Sequence, residues 1–145
     1  MAAPFLLLWF ATAVCLISGS GPASADAAVR RVQIQGGEAT TVHLSATAVA
    51  TITFHRVIED NRCPTAVLCA WAKPPVVEIS LGQPGQTARR LRVSVPQDWA
   101  SAMAAAGWQL RAARLEPQPR EPRDFGKILP LGAYRLTVEA RPETN

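Results

Sequence analysis

EDNRCPTAVLCAWAKPPVVEISL, residues 59–81, holds a Cys-Pro step, a second cysteine, a tryptophan and a proline pair between two strand-like runs. Upstream, Val49–Ile58 (VATITFHRVI) is rich in β-branched residues and alternates, with Ile52, Phe54 and Ile58 on one parity and Thr51, Thr53, His55 and Val57 on the other. Alternation of this kind marks a half-buried strand. Downstream, Val77, Ile79 and Leu81 share a face opposite Glu78 and Ser80. The stretch therefore predicts a loop, closed by a disulfide, that joins two strands.

The same alternation recurs outward from it. Val32 and Ile34 share a face within Val29–Gln35, Gly36-Gly37 is a turn signal, and Ala39–Leu44 reads as a second strand. Gly82-Gln83-Pro84-Gly85 turns the chain into Ala88–Val95, where Leu91, Val93 and Val95 face inward. Glu78 then meets Arg90 or Arg92 across the hairpin, a contact worth roughly 0.2–1 kcal/mol. Pro96–Gly107 is the one helical candidate, about two turns long, with Asp98 as cap and five alanines favouring helix. Trp99 and Met103, at i and i+4, would pack on one face of it.

Trp108–Leu115 returns to strand. Glu116–Pro130 carries Pro117, Pro119, Pro122 and Pro130 and predicts an extended connection. The last strand, Ala133–Ala140, places Tyr134, Leu136, Val138 and Ala140 inward. Some seven short strands separated by turn signals define an all-β class: a small antiparallel β-sandwich with one disulfide and at most one short helix, around 97–106.

The chain has 145 residues and a net charge of +4. Phe5–Ile17 is apolar but shorter than the roughly 20 residues that span a bilayer. Ala23-Ser24-Ala25 fits the pattern cut by a signal peptidase, which predicts cleavage between Ala25 and Asp26. Cys15 lies inside the apolar run, where no lipid-attachment site would place it, and leaves with the signal. One domain, 26–141, and a flexible tail, 142–145, follow. The expected address is periplasmic or secreted, with no integral membrane segment in the mature chain. The expected state is a monomer.

Several chemistries are disfavoured. Five residues separate Cys63 from Cys69, where a redox motif has two, so the pair reads as a structural disulfide in an oxidising compartment. Closing so short a loop stabilises the fold by about 2.4 kcal/mol on the loop-entropy model. His43 and His55, placed on a hairpin, would lie roughly 17 Å apart and share no metal. Neither sits near a Gly-flanked serine, and no phosphate-cradling glycine loop occurs. The expectation is no enzyme, no metal and no cofactor. Basic residues are scattered rather than blocked, which argues against nucleic acid and leaves an envelope protein or polymer as partner.

Glu59-Asp60-Asn61 lacks the spacing of an EF-hand loop and reads as turn chemistry, with Arg62 paired to an acid. Trp71 is expected as a core aromatic against the disulfide, with Phe54 beside it; the alternative is a tryptophan exposed on a binding face. Asn61, Arg62 and Lys73 form the candidate binding rim.

Glu59-Asp60-Asn61-Arg62-Cys63-Pro64, followed by Val67-Leu68-Cys69-Ala70-Trp71-Ala72, resembles a family of small exported bacterial proteins of uncharacterised function. Their signature runs roughly I-T-F-x-x-V-x-E-D-S-R-C-P-x-x-V-x-C-V-W-A-G. Ile52-Thr53-Phe54 and Val57 match its opening, and Leu115–Pro119 and Tyr134–Val138 resemble its later segments. Asn61 stands where serine is usual, and Lys73 where glycine is usual. The resemblance implies a compact disulfide-bonded β domain and assigns no activity. Two roles are expected: a non-catalytic binding or accessory module of the cell envelope, or a proteinase-inhibitor-like domain presenting a disulfide-stiffened loop.

Overall fold

The computed structural model describes residues 29–144. The expected signal sequence, its cleavage site and Cys15 lie outside the described residues. Among those described, no helix is long and apolar enough to cross a membrane.

Among the described residues eight strands form two four-stranded antiparallel sheets. They are β1 (Arg30–Gln35), β2 (Ala39–His43), β3 (Val49–Glu59), β4 (Val76–Gly82), β5 (Arg89–Ser94), β6 (Met103–Ala105), β7 (Trp108–Glu116) and β8 (Arg135–Pro142). Sheet I has the order β1-β8-β7-β6, and sheet II is the meander β2-β3-β4-β5. Inward-facing residues of both make one core that includes Ile34, Ile52, Phe54, Ile79, Leu110 and Leu136, all fully buried. Each such side chain contributes roughly 1.5–3 kcal/mol by leaving water. The sandwich and its disulfide agree with the class expected from alternation.

The chain changes sheets at Gly36-Gly37. Gly36 N–H donates to Tyr134 O and extends the β1–β8 ladder, while Gly37 N–H donates to Phe54 O and joins sheet II. A Cβ on Gly36 would fall 1.9 Å from Leu131 O, so only glycine lets the two backbones approach. Gly37, at φ 88°, makes the turn itself.

Two local expectations change. The alanine-rich segment 97–106 holds a single 3-10 turn at Trp99–Ser101 and then strand β6. Met103 and Ala105 point into the core while Ala104 is exposed, and β6 pairs with β7 through Ala105↔Trp108. Ala106 and Gly107, both at positive φ, form the two-residue hairpin turn. Two helical turns gain too little alone to compete with a paired, core-facing strand. Trp99 therefore does not stack on Met103; it lies under the guanidiniums of Arg111 and Arg141, 4.4 and 4.2 Å from its centroid.

The second change is in β3. Its register with β4 shifts between Phe54 and Arg56 and again between Val57 and Glu59. Each bulge turns the following residues over. Val57 therefore takes the core position that strict alternation gives to Ile58, which is half-buried. Pro142, expected in the tail, still pairs with Trp108 at the end of β8.

On each outer face one carboxylate gathers arginines. Glu78 meets Arg56 (3.1 Å), Arg90 (3.3 Å) and Arg92 (3.8 Å), confirming the cross-strand pairing and adding a third partner. Glu139 meets Arg31 (2.7 Å) and Arg111 (2.8 Å), which flank it on the neighbouring strands. Hydrogen bonds from Arg111 and then Arg31 hold the Glu139 carboxyl below its ordinary value. A depressed folded pKa gives stability that is present above the unfolded value, about 4.3, and is lost as pH falls through the folded one. Urea midpoints should therefore drop on acidification below about pH 5. Glu139→Gln should lower the midpoint at neutral pH and make its acid dependence shallower; an unchanged acid slope would remove Glu139 as a source.

Candidate functional site

One end of the sandwich is covered by the loop after β3 and by the proline-rich connection after β7. Asp60 anchors both. It is 3% exposed, and Arg62 closes on it through Nε and Nη2, each at 2.7 Å. Asp60 and Arg62, two residues apart in the irregular chain directly after β3, turn their charged groups to one another. The remaining Arg62 donors go to Leu115 O, Pro117 O (2.8 Å) and Gln118 Oε1 (3.3 Å). Gln118 Nε2 in turn donates to Cys63 O at 3.1 Å. Tyr134 Oη donates to Asp60 Oδ2 at 3.2 Å and accepts from Leu129 N–H at 3.1 Å. Burial, foremost, raises the Tyr134 phenol above its ordinary pKa and keeps it a donor.

The expected acid pairing of Arg62 is thus present, and it removes Arg62 from the binding rim. Its side chain is only 11% exposed, and its guanidinium is committed to five acceptor atoms on four residues. Asn61 is half-buried, and its carbonyl accepts from Lys73 N–H at 3.0 Å. Lys73 alone of the three is exposed. It adopts no positive φ, so the turn carries lysine without left-handed backbone.

The disulfide joins Cys63 and Cys69, with Cα atoms 5.6 Å apart. Its loop is pinned to the proline-rich segment by Thr65 N–H to Pro119 O (3.1 Å) and Ala66 N–H to Arg120 O (3.3 Å). Trp71 does not pack behind it as core. The ring is 73% exposed, because residues 60–75 run outside both sheets and the centre is already filled by Phe54, Ile79 and their neighbours. Phe54 is fully buried, in the position alternation gives it.

The consequence is an apolar end surface. Leu68 is fully exposed at the loop, and Val67, Phe125 and Ile128 are also open to solvent. Pro64, Trp71, Pro122 and Phe125 line a shallow trough on this surface. A 3-10 turn at Pro122–Asp124, closed by reciprocal Glu121 and Asp124 capping bonds, presents Phe125. Sequence periodicity does not reveal Phe125 or Leu68, since neither belongs to a strand. The signal for Trp71 lay in its neighbours: Ala70, Ala72, Lys73 and Pro74 are short, charged or turn-forming and are all exposed.

His43 and His55 are not brought together. His43 pairs in register with Val49 at one end of β3, and His55 sits in the β3 bulge with Nε2 2.6 Å from Ser80 Oγ. That pair lies on the open face of sheet II, and no carboxylate among the described residues hydrogen-bonds the other ring nitrogen. Among the described residues no three His, Cys, Asp or Glu side chains gather as a metal site. Comparison with protein-family models, with curated proteins and with solved structures finds no match.

Arg62→Ala leaves Asp60 buried without its partner and should cost about 3–5 kcal/mol in urea unfolding. Arg62→Lys should recover only part of this, because an ammonium cannot reproduce the planar fork. A loss under about 1 kcal/mol, the range of exposed pairs, would show that the pair is not structural.

Proposed function

We propose that the protein is an exported, non-catalytic β-sandwich that serves as a binding or accessory module in the cell envelope, docking through the apolar end of its disulfide loop. One observation carries the reading: Val67 and Leu68, on a loop tied down at both cysteines, stand in solvent together with Trp71 just after it and Phe125 of the proline-rich connection. Contiguous exposed apolar side chains on a soluble domain mark an interaction surface. A rigid tryptophan flanked by aliphatic side chains has the composition of an interface anchor. Lys73, exposed two residues beyond Trp71, supplies a charged edge. The disulfide supports export, and membership of the exported bacterial family with the E-D-S-R-C-P signature belongs to the same proposal.

Immobilised protein should retain a defined set of envelope proteins. Leu68→Ser with Trp71→Ser should weaken that capture at least about tenfold, because such anchors are commonly worth over about 2 kcal/mol. The urea midpoint should stay in place, since neither side chain is buried. An unchanged partner set would sink the assignment of this surface.

A proteinase-inhibitor-like role is favoured by one further feature. Leu68 is presented at full exposure from a loop held by the disulfide and by two backbone hydrogen bonds, which limits the ordering cost of docking into a cleft. Against a panel of secreted proteinases this reading expects tight inhibition with the Val67–Cys69 segment intact. Cleavage there without inhibition removes it.

A further inference from the structure

The outer face of sheet I is organised as cross-strand rows of polar side chains. Arg111, Glu139 and Arg31 form one row across β7, β8 and β1. Arg114, Thr137 and Gln33 form the next, and Glu116, Arg135 and Gln35 the third. Rows lie about 7 Å apart along the strands and their members about 5 Å apart across them. A bulge between Ala112 and Arg114 keeps Arg114 on this face. The strands of the face carry Arg31, Arg111, Arg114, Arg135 and Arg141 outward against only Glu116 and Glu139.

Both acids are already engaged. Glu139 is shared by Arg31 and Arg111, and Glu116 lies 3.1 Å from Arg114. No carboxylate of the described residues forms an ion pair with Arg135 or Arg120. These two arginines line one cleft with Arg114 and Gln118 at the end of the third row. A second cleft, over Arg31, Gln33, Arg111 and Thr137, shares Arg114 and Glu116 with the first, so the two are continuous. The result is a shallow cationic track with amide and hydroxyl groups between the guanidiniums.

We propose that this track binds an extended acidic polysaccharide bearing carboxylate groups. A guanidinium fork matches a carboxylate in two parallel hydrogen bonds. Gln33, Gln35 and Thr137 each offer both donor and acceptor, which suits sugar hydroxyls. The face holds no large apolar side chain to enter a lipid layer. Trp99, beside it, is covered by Arg111 and Arg141 and is not free to stack on a base. The track runs along the sheet face to Gln118 and Arg120 at the base of the disulfide loop, and neither Leu68 nor Trp71 lines it.

Binding of polygalacturonate at physiological ionic strength tests the proposal, with its neutral methyl ester, polyphosphate and single-stranded DNA as comparators. Wild type should bind polygalacturonate and not the ester. Arg114→Gln with Arg135→Gln should weaken binding at least about tenfold. Arg135→Gln alone, which breaks no ion pair, should weaken it in the same direction with the urea midpoint unchanged. Arg90→Gln with Arg92→Gln, on the opposite sheet, and Leu68→Ser with Trp71→Ser, at the loop end, should leave binding intact. Equal binding of the ester overturns the proposal. So does tighter binding of polyphosphate or DNA, or an equal loss from the sheet II variant.

Discussion

The buried pairing of Asp60 with Arg62 is the interaction on which one whole end of the molecule depends. A carboxylate at 3% exposure is tolerable only when a cation and hydrogen bonds compensate its lost hydration. Arg62 supplies both, and then spends its remaining donors on carbonyls at the end of β7 and in the proline-rich connection. Tyr134 adds a hydrogen bond from the residue just before β8. Three segments distant in sequence, around residues 60–62, 115–118 and 134, thus meet at one ion pair. The disulfide loop rests on this clasp through Gln118 and Cys63, so the exposed Leu68 and Trp71 are held outward by a rigid base rather than by packing of their own.

The two outer faces follow a related rule. Each buries one glutamate against several arginines, Glu78 in sheet II and Glu139 in sheet I. Such a cluster leaves surplus positive charge on a flat strand face. In sheet II the three arginines converge on Glu78 itself. In sheet I the surplus extends beyond the Glu139 row to Arg135 and Arg120 and opens into a cleft. That difference sets the polyanion track on one face, while the apolar surface stays at the loop end.

Much of the fold was legible in the residues. Alternation in Val29–Gln35, Val76–Leu81 and Tyr134–Ala140 named the core faces of β1, β4 and β8 correctly, because a half-buried strand can satisfy its apolar side chains in only one way. It failed at Ile58, where a bulge inserts a residue that periodicity does not announce. The helix expected at 97–106 came from alanine content instead, and that preference is overridden by pairing with β7. In the candidate site, the spacing of Cys63 and Cys69 was informative. The pairing of Arg62 with an acid was legible too, but its burial and the exposure of Trp71 were not, because burial in a loop depends on what crosses over it.

By itself the sequence determined the all-β class, the hairpin of β4 with β5, the core parity of most strands and the disulfide. These follow from local rules: side-chain period, turn chemistry and short-range spacing. Only the tertiary structure decided that β1 pairs with β8, that Arg62 is an internal clasp, that Trp71 faces solvent, and that arginines from β1, β7 and β8 share one track. Alternation says which face of a strand is buried but not which strand lies beside it. The partners of a polar head group are set by backbone brought in from far along the chain.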